Sequence, residues 1–165
     1  MLLPILSLAK MSQNNTVVEY RKMVLNDVAA VTQIESELAR APWSQKLFED
    51  EFKLSEDVRY WVVAVQDETV VGFAGIMFGV DDSHILNLGV TETSQRTGIG
   101  KSLIEGLISE SVNRGFTKIF LEVESDNSVA IYLYKNFGFE QINLRKDYYG
   151  KDLDASVMRL VLYSN

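Results

Sequence analysis

Gln95-Arg96-Thr97-Gly98-Ile99-Gly100-Lys101 lies between an apolar run at residues 85–90 and a helical pattern from Leu103 to Val112. A strand feeding a glycine-rich turn that opens a helix points several backbone N–H groups, unpaired by the helix, in one direction. Such a turn suits a diphosphate. Glycine at 98 and 100 lets anionic oxygens reach the main chain and tolerates positive φ, while Arg96 and Lys101 add positive charge. The spacing fits an ordinary strand-to-helix turn equally well, because a G-x-G pair alone is a weak signal. It is no Walker loop, and Leu103 stands where a dinucleotide fingerprint needs its third glycine.

Beyond the turn, Leu103/Leu107 and Ile104/Ile108/Val112 recur at four-residue spacing, and Arg114-Gly115 supplies a basic last turn and a C-cap. Residues 118–123 read as a strand, with Ile119, Leu121 and Val123 on one face and Phe120 and Glu122 on the other. Ser125-Asp126-Asn127 caps a helix that runs through Phe137 and ends at Gly138. Strand-like runs follow at 139–144 and 155–162. Upstream, residues 17–23 have strand character, and Asn26-Asp27 offers an N-cap for a helix with Val28, Val31, Ile34 and Leu38 at helical spacing. Ser44 caps a second helix, with Trp43 stapled onto Phe48. Residues 59–65 and 69–78 form a hairpin, and 84–90 a central strand. His84, the single histidine, starts that strand beside two acids, as a solvated or core-edge residue. The order β-α-α-β-β-β-α-β-α-β-β predicts an α/β fold with a mixed central sheet of about seven strands and helices on both faces. The helical crossover makes the strands at 84–90 and 118–123 parallel and, by default, right-handed.

A chain of 165 residues, 47% hydrophobic, buries one core and makes one domain, read here as residues 16–165. Residues 1–15 are excluded from it as a flexible tail or an extension of the annotated start. Their apolar run, Leu2 to Ala9, is broken by Pro4 and has no basic residue ahead of it; it fits neither a signal peptide nor a span of about 20 apolar residues. A net charge of −7 argues against direct nucleic-acid binding and suits a cationic substrate. The absence of cysteine removes disulfides, thiolate metal sites and a cysteine nucleophile together, which suits a cytoplasmic protein without a metal.

Taken together, residues 90–101 with their Gln-x-x-Gly-x-Gly turn, Leu121-Glu122-Val123, Asn127, and Ala130 through Tyr134 to Gly138-Phe139 resemble the GNAT N-acetyltransferases. Ala41-Pro42-Trp43-Ser44 and Arg145-Lys146-Asp147-Tyr148-Tyr149 are similar to the RimI branch, which acetylates the N-terminal alanine of a small-subunit ribosomal protein. The resemblance implies acetyl-CoA as cosubstrate, with Arg96, Thr97, Gly98, Ile99, Gly100 and Lys101 on its diphosphate. It implies that Leu88, Gly89 and Val90 pair with the pantetheine arm through their backbone, and that Asn127 hydrogen-bonds the same arm. Asn127 also reads as a plain helix cap. Gly89 departs from the bulkier residue expected there, which puts the strand's local geometry in question.

Acetyl transfer needs a neutral amine, a polarised thioester carbonyl and a proton for the departing thiolate. A peptide α-amine, pKa about 8, is neutralised more easily than lysine at about 10.4. Glu122 interrupts an apolar strand and stands where RimI-like enzymes carry their general base; a solvated strand carboxylate is the alternative. Tyr134 is the expected general acid, uphill of a thiolate by about 2 kcal/mol at ordinary pKa values, and a packing role is its alternative. Tyr132, two residues earlier, points elsewhere. Val90 N–H is expected to steady the thioester oxygen. Trp43, Tyr148 and Tyr149 flank the peptide entrance in the resemblance and would wall a slot for a small N-terminal residue, or simply anchor their loops. Acids at Glu35, Glu37 and Asp147 would attract a basic protein. A lysine or small-amine acetyltransferase and a silent acyl-CoA-binding module are the competing readings.

Overall fold

A computed structural model describes residues 10, 11 and 16–162. The elements are β1 (Lys10–Met11), β2 (Val17–Lys22), α1 (Val28–Leu38), α2 (Gln45–Phe52), β3 (Arg59–Gln66), β4 (Thr69–Phe78), β5 (Ser83–Val90), α3 (Ile99–Asn113), β6 (Lys118–Glu124), α4 (Ser128–Asn136), β7 (Glu140–Arg145) and β8 (Ala155–Val161). The expected mixed α/β order is met, with one strand more. Lys10–Met11 pairs with Val17 and Val18, so the exclusion of residues 1–15 from the fold is corrected at those two positions. Residues 1–9 and 12–15 lie outside the described residues.

All eight strands join one sheet in the order β1-β2-β3-β4-β5-β6-β8-β7. Every pairing is antiparallel except β5 with β6. Two cores separate the layers. On one face α1 and α2 bury Val28, Val31, Ile34 and Phe48 against Trp61, Val63 and Phe73. On the other, α3 and α4 bury Ile99, Leu103, Ile104, Leu107 and Tyr134 against β4, β5, β6 and β8. The split follows from strand alternation: Trp61, Val63 and Phe73 point one way, Val62, Ala64 and Ala74 the other.

Local signals were met unevenly. Ser44 Oγ accepts from Leu47 N–H (3.2 Å), and Trp43 rests on Phe48 with ring centroids 5.3 Å apart, a hydrophobic staple. The cap expected at Asn26-Asp27 is different. A short 3-10 turn, Leu25–Asp27, precedes α1, and Asp27 makes no side-chain cap to α1. Its buried carboxylate instead accepts two hydrogen bonds from Arg21 (2.7 and 2.9 Å) and one from Val24 N–H (2.8 Å). Burial alone would raise the Asp27 pKa, but those bonds and the Arg21 charge prevail and lower it.

The feature that positions the site is a failure of pairing. β5 and β6 are in register only at Ser83/Ile119, His84/Phe120 and Ile85/Leu121. Immediately beyond, β5 carries a bulge: Ile85 pairs with Ile76 and Asn87 with Gly75, leaving Leu86 without a partner. The bend carries residues 86–90 away from β6, and a wedge opens between two neighbouring parallel strands.

Candidate active site

The wedge is the floor of a cleft of about 670 Å³. One wall is Leu88, Gly89 and Val90 of β5; the other is Leu121, Glu122 and Val123 of β6 with α4 above them. Thr91 N–H donates to the Val71 carbonyl across β4 (2.8 Å), so strand alternation turns the polar groups of Gly89 toward β4 and those of Leu88 and Val90 toward the wedge. Gln95 Nε2 donates to the Val90 carbonyl (3.0 Å) and Asn87 Oδ1 accepts from Leu88 N–H (2.8 Å), leaving Val90 N–H as the free donor facing the gap. Gly89 thus supplies room rather than a hydrogen bond, which corrects its expected role. The reason for glycine is also plain: a Cβ there would stand 2.7 Å from Cε1 of the buried Phe73 ring.

The glycine turn closes one end of the cleft. Arg96 (φ 61°) and Gly98 (φ 91°) both adopt left-handed backbone, the Thr97 hydroxyl donates to the Ser94 carbonyl (2.6 Å), and α3 starts at Ile99. Ser102 N–H is the first to find a helical acceptor, the Gly98 carbonyl, so the N–H groups of Ile99, Gly100 and Lys101 have no helical partner. Arg96, Gly98, Gly100 and Lys101 line the cleft, whereas Ile99 buries its side chain in the core. Gly100 is informative because the fold does not need it. Its φ is not left-handed, and a Cβ would meet only Leu133 at 3.5 Å and Val90 at 3.9 Å, ordinary contacts. Glycine inside a helix costs about 1 kcal/mol relative to alanine. The packing of the fold therefore gives no steric reason for glycine at this position.

At the opposite end, Glu122 reaches into the cleft with its side chain 11% exposed. It is hydrogen-bonded to His84 Nε2 and lies 3.6 Å from Arg145 Nη1. His84 is half-buried, as a core-edge residue, and what the sequence did not show is its partner: parallel pairing sets His84 beside Phe120, on the face shared with Glu122. Tyr134 is 7% exposed and lines the same cleft; no described residue engages its hydroxyl. Burial pushes this phenol up to about 12. Asn127 does act as a helix cap, Oδ1 accepting from Ala130 N–H (3.1 Å), but it lines the cleft too and keeps its amide NH₂ for another partner.

Two loops flank this end. Trp43, half-buried, packs edge-on against Trp61 at 6.0 Å, and its backbone N–H donates to Glu35 Oε1 (3.1 Å). Glu35 is buried, so its expected part in long-range attraction is corrected to holding Trp43. Arg40 ties the same loop to Glu124 and Asp126 at the end of β6. From the β7–β8 loop only Tyr149 lines the cleft. Tyr148 stands behind it, ring edge to ring face at 4.8 Å, beneath the Arg145 guanidinium at 4.6 Å. Burial, then the neighbouring Tyr148 and Glu122, push the Tyr149 phenol up.

A splayed parallel pair, an amide-rich glycine turn, a carboxylate and a buried tyrosine line one continuous cleft. The profile of the acetyltransferase (GNAT) family matches residues 28–139. The chain belongs to this family. Among curated GNAT relatives, it is 34% identical over 124 residues to the ribosomal protein bS18-alanine N-acetyltransferase of Salmonella typhimurium, covering 74% of this chain and 81% of the relative. The Escherichia coli K12 protein of the same name is 33% identical over 139 residues, 81% of this chain and 90% of that one. Among solved structures, the ribosomal-protein-S18-alanine N-acetyltransferase from Escherichia coli superposes with a TM-score of 0.81 at 29% identity, over 90% of this chain and 96% of the other. Ard1 from Thermoplasma volcanium shares the fold, with a TM-score of 0.83 at 24% identity. The resemblance to GNAT enzymes and their RimI branch is thereby borne out. Among the described residues no cluster of three or more metal-binding side chains occurs, and no helix is long and apolar enough to cross a membrane.

Proposed function

We propose that this protein transfers the acetyl group of acetyl-CoA to the free N-terminal α-amine, on alanine, of a small-subunit ribosomal protein in the cytoplasm, by direct attack in a ternary complex. The observation that carries the proposal is the wedge between β5 and β6, with the glycine turn at one end and Glu122 and Tyr134 at the other. The printed names of the bacterial relatives support this choice of acceptor.

In this reading the diphosphate lies on the Ile99, Gly100 and Lys101 amides, beside Arg96, and the pantetheine arm runs along Leu88 and Val90 to the Asn127 amide. Val90 N–H faces the thioester oxygen as charge develops on it. Glu122, oriented by His84, takes the proton of the α-ammonium directly or through one water. The amine adds to the thioester carbon, the tetrahedral intermediate expels the thiolate as Tyr134 donates the phenolic proton to sulfur, and the second proton on nitrogen passes through water to the phenolate, restoring Tyr134 and leaving a neutral amide. With the phenol at about 12 and a free thiol at about 8.5, that transfer is uphill by roughly 5 kcal/mol instead of the about 2 expected from ordinary values. A thiolate generated beside the same buried tyrosine loses part of its hydration as well, which narrows the gap at the moment of transfer. Trp43 and Tyr149 wall the slot for the first residue of the acceptor.

Mass spectrometry after incubation with acetyl-CoA tests this on peptides beginning with Ala, Ser or Met and carrying internal lysines. Acetylation of the α-amine, fastest on Ala, is the expected result. Modification confined to lysine side chains would replace the acceptor with an ε-amine, and no transfer to any amine would leave a binding module.

A further inference from the structure

We propose that Tyr132, with Val129 beside it, is the platform on which the purine ring of the cofactor's nucleotide end stacks. The inference rests on the acetyl-CoA reading and extends it to the part of the molecule not yet accounted for.

At the glycine turn the two walls of the cleft come together, since a Cβ on Gly100 would lie 3.5 Å from Leu133 of α4. Val129 precedes Leu133 by one helical turn and Tyr132 follows Val129 by three residues, so Val129 and Tyr132 share one face of α4. Both line the cleft. They are nevertheless 70% and 69% exposed, an apolar pair three residues apart at the rim. Single exposed apolar side chains need no explanation on most surfaces. These two stand where a diphosphate seated on α3 must hand the chain on to its adenosine. Trp43, Phe48, Tyr134, Phe139, Tyr148 and Tyr149 each pack against another ring, whereas no ring contact is described for Tyr132. A bare aromatic face suits a flat base, and stacking of that kind accepts any purine.

The test compares acetyl-CoA with acetyl-pantetheine, which keeps the thioester and lacks the nucleotide. Tyr132→Ala should raise KM for acetyl-CoA and weaken binding of adenosine 3′,5′-bisphosphate by about tenfold, the lower range for loss of one base–aromatic stack at an exposed site. Tyr132→Phe, which keeps the ring, should restore wild-type affinity. With acetyl-pantetheine the alanine variant should match wild type in kcat/KM. Unchanged KM for acetyl-CoA in Tyr132→Ala overturns the platform, as does an equal loss with acetyl-pantetheine, which would place the defect in α4 itself. A wild-type protein that binds no CoA overturns the acetyl-CoA reading instead, so the two failures are distinguishable.

Discussion

Glu122, one residue past the last paired residue of its strand, is hydrogen-bonded side chain to side chain to His84, one residue before the last of its own. The last register pair is Ile85/Leu121, so the contact sits at the apex of the wedge, where a carboxylate meets whatever enters between the strands. With the carboxylate ionised, His84 Nε2–H is the donor, and the bond fixes which carboxylate oxygen remains for an incoming amine.

Glu122→Gln keeps shape and hydrogen bonding but removes the proton acceptor. It should lower kcat by about 10²-fold or more with little change in KM for acetyl-CoA, the size usual for lost general-base catalysis. His84→Ala should cost less, about tenfold in kcat, and should alter the pH–rate profile while leaving KM for acetyl-CoA alone. Steady-state kinetics from pH 6 to 9 checks both, and an unchanged kcat in Glu122→Gln would move the base elsewhere.

Tyr134→Phe separates catalysis from packing because no described residue bonds the hydroxyl. The residue lines the cleft, and removing a hydroxyl that no described residue engages does not destabilise a fold through a lost bond. The variant should melt at or above the wild-type temperature and turn over about 10²-fold more slowly. A drop in Tm with unchanged kcat would make Tyr134 a packing residue, the alternative its helical spacing allowed.

Much of this arrangement was legible in sequence because it is written in local periodicity. The strands, the α3 repeat, the glycine turn and the Trp43–Phe48 staple all rest on residues within a few positions of each other. What was missed depends on pairing across distance. His84 meets Glu122 only because of one parallel register, and no spacing in the chain encodes it. Gly89 is explained by Phe73, which lies far from it in the chain and beside it on the neighbouring strand. Tyr148 and Tyr149 look alike in sequence; the β7–β8 loop sends one into the cleft and the other behind it. Asp27 had the composition of a cap, and Arg21 on the adjacent strand diverted it.

Asp27→Asn should cost about 2 kcal/mol, within the range for hydrogen bonds to charged groups, since Arg21 is left partly solvated and without its anion. The pH dependence follows in sign. The folded-state pKa is lowered, so the stabilisation is fully present above the unfolded value of about 3.9 and is lost as pH falls through the folded value. Denaturant unfolding at pH 7 and at pH 3 should show the wild type losing part of its advantage over Asp27→Asn at the lower pH. A constant difference would mean the carboxylate is not held by charge.

Gly100→Ala is the sharpest test of what the turn is for, because folding and ligand binding pull in opposite directions. An added Cβ finds ordinary contacts at 3.5 and 3.9 Å, and alanine is the better helix former by about 1 kcal/mol. The empty protein should therefore melt at the same temperature or a few degrees higher. The same methyl occupies the space through which phosphate oxygens approach the Gly100 and Lys101 amides. Affinity for CoA should fall by tenfold or more, and calorimetric titration beside thermal melting reads both. Loss of stability together with loss of affinity would show that glycine serves the fold after all; unchanged affinity would take the diphosphate away from this turn.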